Sequence, residues 1–220
     1  NRGIVESMPV DLPFYYESDT WAFGNGRSQV GKGLSISNLA GINLKKNKAG
    51  QILVDQTTGL PIKEDGFTSI GDRNPDYKMG IINNFTFAQN WSLSFNIDIR
   101  KGGDIFNGNA MMMVLSGVSP KTLDRETPRI IEGVLNDGLQ DTERPTKNNI
   151  AVTPYYRSDF YNSTHTELDF VETVNWVRLR DITLTFRLPS SVIKKQKVFK
   201  SASFSVTGTD LFLISNYSGI

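Results

Sequence analysis

The chain contains no cysteine and one histidine among its 220 residues, has no apolar run long enough for a membrane helix, and carries almost no net charge. The missing cysteines remove disulfides, zinc-thiolate centres and thiol nucleophiles together, which fits a cytosolic protein and a bacterial envelope protein equally well. Crossing a bilayer as a helix takes about 18 or more consecutive apolar residues, so only strands are left for that task. With 24 basic and 23 acidic side chains, nothing electrostatic points to nucleic acid. The opening Asn1-Arg2-Gly3-Ile4 lacks an initiator Met, a basic n-region and an apolar h-region, and the chain stops in mid-phrase at Ser218-Gly219-Ile220. It reads as a piece of a longer protein.

What is present points to strands and turns. Nineteen glycines, thirteen phenylalanines and many Asn, Ser and Thr suit an all-β chain better than a helix bundle. The clearest pattern runs from Trp91 to Ile99, where Trp91, Leu93, Phe95, Ile97 and Ile99 alternate with Ser92, Ser94, Asn96 and Asp98. A period of two is a strand whose faces meet different solvents, and its length of roughly ten residues suits a tilted crossing of a bilayer. Ile81 to Phe87 alternates too, with Asn83 out of phase, and Ala88-Gln89-Asn90 closes a tight hairpin between the two. Alternation returns near Trp176, slips phase at Arg180-Asp181 as a bulge would, stops at Pro189, and resumes after a basic turn with Ala202, Phe204 and Val206. Expected strands are therefore 81–87, 91–99, 177–188 and 201–213.

Between the hairpins lies a long stretch without sustained pattern, in which Asn109 to Leu115 and Arg129 to Leu135 are expected as short helices, the second with Ile130, Ile131 and Val134 on one side. Residues 1–80 are mostly loop, with Leu34-Ser35-Ile36-Ser37 and Gln51-Ile52-Leu53-Val54 as possible small hairpins. A soluble sandwich has loops of comparable length at both ends, whereas an outer-membrane barrel has short turns at one end and long loops at the other. The asymmetry here favours the barrel wall.

Four phrases carry a more specific signal. Ile70-Gly71-Asp72-Arg73-Asn74-Pro75-Asp76-Tyr77; Arg100-Lys101-Gly102-Gly103-Asp104-Ile105-Phe106-Asn107-Gly108; Trp176 to Leu184 with Leu188-Pro189; and Val206-Thr207-Gly208-Thr209-Asp210-Leu211-Phe212 with Asn216-Tyr217-Ser218-Gly219 occur in that order. Together they resemble the C-terminal barrel region of the SusC/RagA family of TonB-dependent outer-membrane transporters. The resemblance covers residues 70–220 well and 1–69 loosely. It implies an antiparallel transmembrane β-barrel segment, part of a plugged barrel of about 22 strands with long extracellular loops. The division it implies is a loop-rich barrel segment with possible short hairpins at 1–76, a transmembrane hairpin at 77–100, a long extracellular loop at 101–175 and a second transmembrane hairpin at 176–220, all within one incomplete receptor barrel domain. It further implies TonB-driven import of glycan or peptide fragments in the outer membrane of a Gram-negative, Bacteroidetes-like bacterium, with no covalent chemistry and no cofactor. Implied partners are a SusD-like surface lipoprotein, the TonB complex through parts of the protein outside this chain, an oligosaccharide or peptide ligand, and the lipid bilayer. Tyr155, Tyr156, Phe160 and Tyr161 at the end of the long loop, and Tyr15, Tyr16 and Trp21 near the start, then become candidate ligand contacts, since aromatic faces stack on sugars; the alternative is a membrane-interface girdle or loop packing. A soluble β-sandwich that binds carbohydrate is the competing reading.

Other motifs are weaker. Gly26 to Gly33 nearly matches a phosphate loop but lacks the final Ser or Thr, and a strand-like run follows where a helix is needed. Asp72-Arg73-Asn74-Pro75-Asp76 has the oxygen spacing of a calcium loop, yet Tyr77 replaces the turn glycine and Asn83 the bidentate Glu; local backbone bonding is expected instead. His165 has no nucleophile elbow to serve and reads as a solvated loop residue. Asp124 with Glu126 and Glu167 with Asp169 are sequence neighbours of a kind common by chance, and no catalytic or metal residue is assigned. Lys194, Lys195, Lys197 and Lys200 read as a solvated turn near lipid headgroups.

Overall fold

A computed structural model describes residues 3–8, 15–16, 26–195 and 199–219. Its strands are β1 (Tyr15–Tyr16), β2 (Arg27–Val30), β3 (Asn38–Gly41), β4 (Leu53–Val54), β5 (Thr68–Asp72), β6 (Tyr77–Phe87) and β7 (Trp91–Lys101). They continue as β8 (Asp104–Phe106), β9 (Arg129–Ile130), β10 (Val134–Leu135), β11 (Ala151–Val152), β12 (Val171–Thr173), β13 (Trp176–Arg187) and β14 (Ser203–Ser215). Among the described residues three short α-helices, α1 (Gly108–Leu115), α2 (Phe160–Thr164) and α3 (Ser190–Ile193), and three single 3₁₀ turns complete the list. The chain is mostly strand, and its larger sheets are antiparallel. No described helix is long and apolar enough to cross a membrane.

Two compact units divide the chain. The sheet unit, Pro75–Gly103 with Thr173–Tyr217, is one antiparallel sheet in the order β14-β13-β7-β6. Its strands lie where the alternation marks them: the ends at Phe87 and Trp91 coincide with expectation, β6 begins earlier and β7 ends later because pairing continues past the last alternating side chain, and β13 and β14 are shifted by one and two residues. The expected phase slip is real: Leu179 faces Ile97 while Asp181 faces Asn96, so Arg180 is an extra residue in β13. On the other side Leu179 faces Phe212 and Asp181 faces Thr209, leaving Asp210 and Leu211 as the extra pair in β14. The bulge returns Val177 and Leu179 to the same face as Ile182, Leu184 and Phe186, which strict alternation would have denied them. At Gly208 a Cβ would sit 2.7 Å from Leu211 Cδ1, so the looped-out leucine covers the place where the sheet has no side chain.

The loop unit, Asn1–Asn74 with Asp104–Glu172 and Ser218–Ile220, joins a four-stranded sheet in the order β1-β2-β3-β5 to short pairings of β4 with β10, β9 with β11, and β8 with β12. One cluster packs Leu60, Val152 and Phe160 with Ile131, Ile150 and Tyr161. A second packs Met111, Val114 and Phe170 with Phe106, Ala110, Leu115 and Tyr161. Helix α1 forms as expected. The expected helix over Arg129 to Leu135 does not: Pro128 precedes it, Val134 N–H donates to Ile52 O, and Gly133 lies so close to that carbonyl that a Cβ would be 2.5 Å from it. Strand pairing to β4 wins over local periodicity. Of the two small hairpins, Gln51 to Val54 supplies β4, whereas Leu34 to Ser37 is a turn held by a single bridge between Ser35 and Ile4.

Candidate functional site

The sheet unit has two unlike faces. On one, Phe85, Leu93, Leu184 and Val206 form a row across all four strands, followed by Asn83, Phe95, Ile182 and Gly208, then Ile81, Ile97, Leu179 and Phe212, then Met79, Ile99, Val177 and Ile214. The row at the turn end is wholly aromatic: Phe87, Trp91, Phe186 and Phe204, with the Trp91 and Phe186 rings 4.7 Å apart. This face is uncovered among the described residues, and Phe204, Val206 and Ile214 are each 58% exposed or more. Trp91 to Ile99 spans about 27 Å along the strand at about 3.4 Å per residue, or about 20 Å of height at a tilt of about 40°.

The other face is polar. Thr86, Ser92, Thr185 and Ser205 form one row and Asn84, Ser94, Thr183 and Thr207 the next. The Thr183 and Thr207 hydroxyls are 2.9 Å apart, as are those of Thr185 and Ser205. Beside the bulge, Asp98 Oδ2 accepts from Arg178 Nη2 at 3.2 Å and from Arg180 Nη1 at 3.3 Å, and Arg178 Nη1 lies 3.6 Å from Asp210. Ile82, opposite Asn96, and Leu213, opposite Arg178, are apolar residues on this face.

Three of the four phrases singled out in the sequence turn out to tie strand ends and turns together, while the third forms the body of β13. Asp72 N–H donates to Asp104 Oδ2 at 2.9 Å, and a Cβ on Gly71 would collide with Asp104 Cβ at 2.9 Å. Gly102, at φ +75°, has Asp76 Oδ2 2.6 Å from where a Cβ would be, and its N–H donates to Asn175 Oδ1. Asn107 caps α1 by accepting from Ala110 N–H at 3.0 Å, and its amide donates to Glu172 Oε1 at 2.8 Å and Ser218 Oγ at 3.1 Å. Burial alone would raise the Glu172 carboxyl, but hydrogen bonds from Ser218 and Asn107 outweigh it and hold it below its ordinary value. Residues 65 and more positions apart thus meet, which no local pattern foretells.

In the loop unit, Tyr155 and Tyr156 are 61% and 80% exposed with rings edge to face at 5.2 Å. Phe160 is buried in the first cluster and Tyr161 bridges both clusters, so the four aromatic candidates divide into an exposed pair and a packed pair. Tyr15 and Tyr16 contribute backbone to β1, while Trp21 and Lys197 lie outside the described residues. His165 is half-buried rather than solvated, its ring between Tyr161 and Phe170. Burial lowers its pKa, partly offset by the Asp169 carboxylate. Thr164 Oγ1 lies 3.1 Å from its Nδ1 but spends its own hydrogen on Phe160 O.

The weak motifs fall into structural roles. Arg27 to Val30 is strand and a turn follows, with no helix to complete a phosphate loop. Asp72 Oδ1 accepts from Asn74 N–H, the local bond expected of it, and the described residues hold no metal-ligating cluster of His, Cys, Asp and Glu. Glu167 is buried and accepts from Ile42 N–H, Asp169 caps Thr166, and Asp124 pairs with Arg129 at 2.9 Å. Two clefts open in the loop unit, one of about 550 Å³ around Ile52, Ile131, Glu132 and Lys147, the other of about 290 Å³ around Leu44, Lys46, Glu64 and Leu168.

No protein-family model and no curated protein matches the chain in sequence. In structure it is similar to the RagAB peptide importer in its "closed-closed" and "open-open" states, with a TM-score of 0.53 and 14% identity in both. These likenesses cover 96% and 97% of this chain and 22% of the importer chain. At that identity the likeness speaks for the fold: the chain is built like one part of a chain several times longer.

Proposed function

We propose, from a fold shared with part of a peptide importer, that this chain is a wall segment and loop unit of a SusC/RagA-like, TonB-dependent transporter in the outer membrane of a Gram-negative bacterium. The observation that carries the reading is the two-faced sheet, an uncovered apolar band of about 20 Å ended by an aromatic row, with hydroxyls, amides and paired charges behind it. Outer-membrane barrels present an apolar band about 25 Å tall with aromatic girdles outside and a polar lumen inside. A soluble sandwich would need a second sheet over the apolar band.

In this reading β6 and β14 continue into further strands of a closed barrel, since open edges in lipid leave backbone groups unpaired. The loop unit faces outward, the exposed Tyr155 and Tyr156 are its candidate contacts for an oligosaccharide or peptide, and a SusD-like lipoprotein covers it. Transport is binding and release without covalent catalysis. Fractionation of the intact protein tests this: it is expected in the outer membrane and released only by detergent, and recovery as a soluble species without detergent overturns the reading.

A further inference from the structure

At the end of the apolar band opposite the aromatic row, the sheet unit carries a hollow of about 370 Å³ lined by Tyr77, Ile99, Lys101, Val177, Ile214 and Asn216 among others. Tyr77 and Lys101 face each other and are in phase with Met79 and Ile99, so they stand on the apolar face one step beyond its last apolar row. No acidic side chain lines the hollow, whereas Arg100 and Lys101 both do. Arg100 is engaged, donating from Nε to Gly102 O; the Lys101 side chain is exposed and makes no ion pair among the described residues. Asn175 spends its carbonyl oxygen on Gly102 N–H and accepts at its backbone carbonyl from Asn216 N–H, which fixes the rim beside the lysine.

An apolar hollow with an uncommitted ammonium at its polar edge fits a molecule with an aliphatic body and an anionic head. We propose that it seats a phosphate-bearing lipid of the leaflet on the loop side, its acyl chain along Ile99, Val177 and Ile214 and its phosphate on the Lys101 ammonium. This rests on the sheet being a membrane wall. A free phosphate would satisfy the lysine and leave the three aliphatic side chains uncovered, so the lipid accounts for both halves of the site.

The test uses the intact membrane protein, delipidated in mild detergent and titrated with phosphatidylglycerol or phosphatidylcholine under native mass spectrometry. Phosphatidylglycerol is expected to be retained in preference. Lys101→Gln should lower its retention about fivefold, the weight of one cation at an anionic surface; Lys101→Arg should keep it, and phosphatidylcholine, whose quaternary ammonium offsets its phosphate, should respond less to Lys101→Gln. Ile214→Asn should weaken retention of both lipids. Equal retention of phosphatidylglycerol by the wild type and Lys101→Gln overturns the site, and so does its displacement by excess inorganic phosphate. A protein that never enters the membrane fraction fails earlier, at the wall itself, before any lipid is added.

Discussion

Ala88 and Gln89 take φ of +48° and +58° in the turn between β6 and β7, a region that costs a residue with a Cβ about 1 kcal/mol. Replacing Gln89 with Gly is expected to stabilise the hairpin by roughly that amount, read as a higher denaturant midpoint of the intact protein. Asn107 works the other way: it caps α1 and donates to two partners distant in sequence, so Asn107→Ala should cost about 2 kcal/mol or more and speed proteolysis within 104–172. His165 makes the loop unit sensitive to pH. Its folded pKa lies below the ordinary value of about 6.5 because its ring is half-buried. Between the two values the unfolded chain binds a proton the folded one does not, so stability is complete above about 6.5 and falls as pH drops toward the folded value. Hydrogen exchange of 160–170 should quicken over that window, and His165→Phe should flatten the dependence. The aromatic candidates were legible as residues but not as roles, because exposure of Tyr155 and burial of Phe160 depend on partners such as Leu60 and Val152, far away in the chain.

At the scale of elements, the long strands were the legible part, since one residue in two must face each solvent and the pattern is written locally. Short strands such as β9 and β10 were not, as two-residue elements have no period to read. The two faces of β7 give a direct contrast. Phe95→Arg on the apolar face should cost about 2–4 kcal/mol if that face meets the bilayer midplane, while Ser94→Arg on the polar face should cost little. Folding yield into lipid vesicles, followed by heat-modifiable electrophoretic mobility, separates them; equal tolerance would place both faces in water.

For the whole molecule, β6 and β14 are open edges and the apolar face is uncovered among the described residues, so the 220-residue chain alone is expected to aggregate in water. Sedimentation of the isolated chain checks this, and a monodisperse species without detergent would contradict it. The sequence by itself determined the four long strands, their faces, the bulge and the imbalance of short turns and long loop, because each of these is set by neighbours a few residues apart. Only the tertiary structure decided that Asn107 meets Glu172 and Ser218, that Gly71 yields to Asp104, that Leu211 covers Gly208, and that Arg129 to Leu135 pairs as strand instead of coiling as helix. Those outcomes depend on which distant segment arrives alongside, and closeness in space between residues far apart in the chain leaves no periodic trace in either.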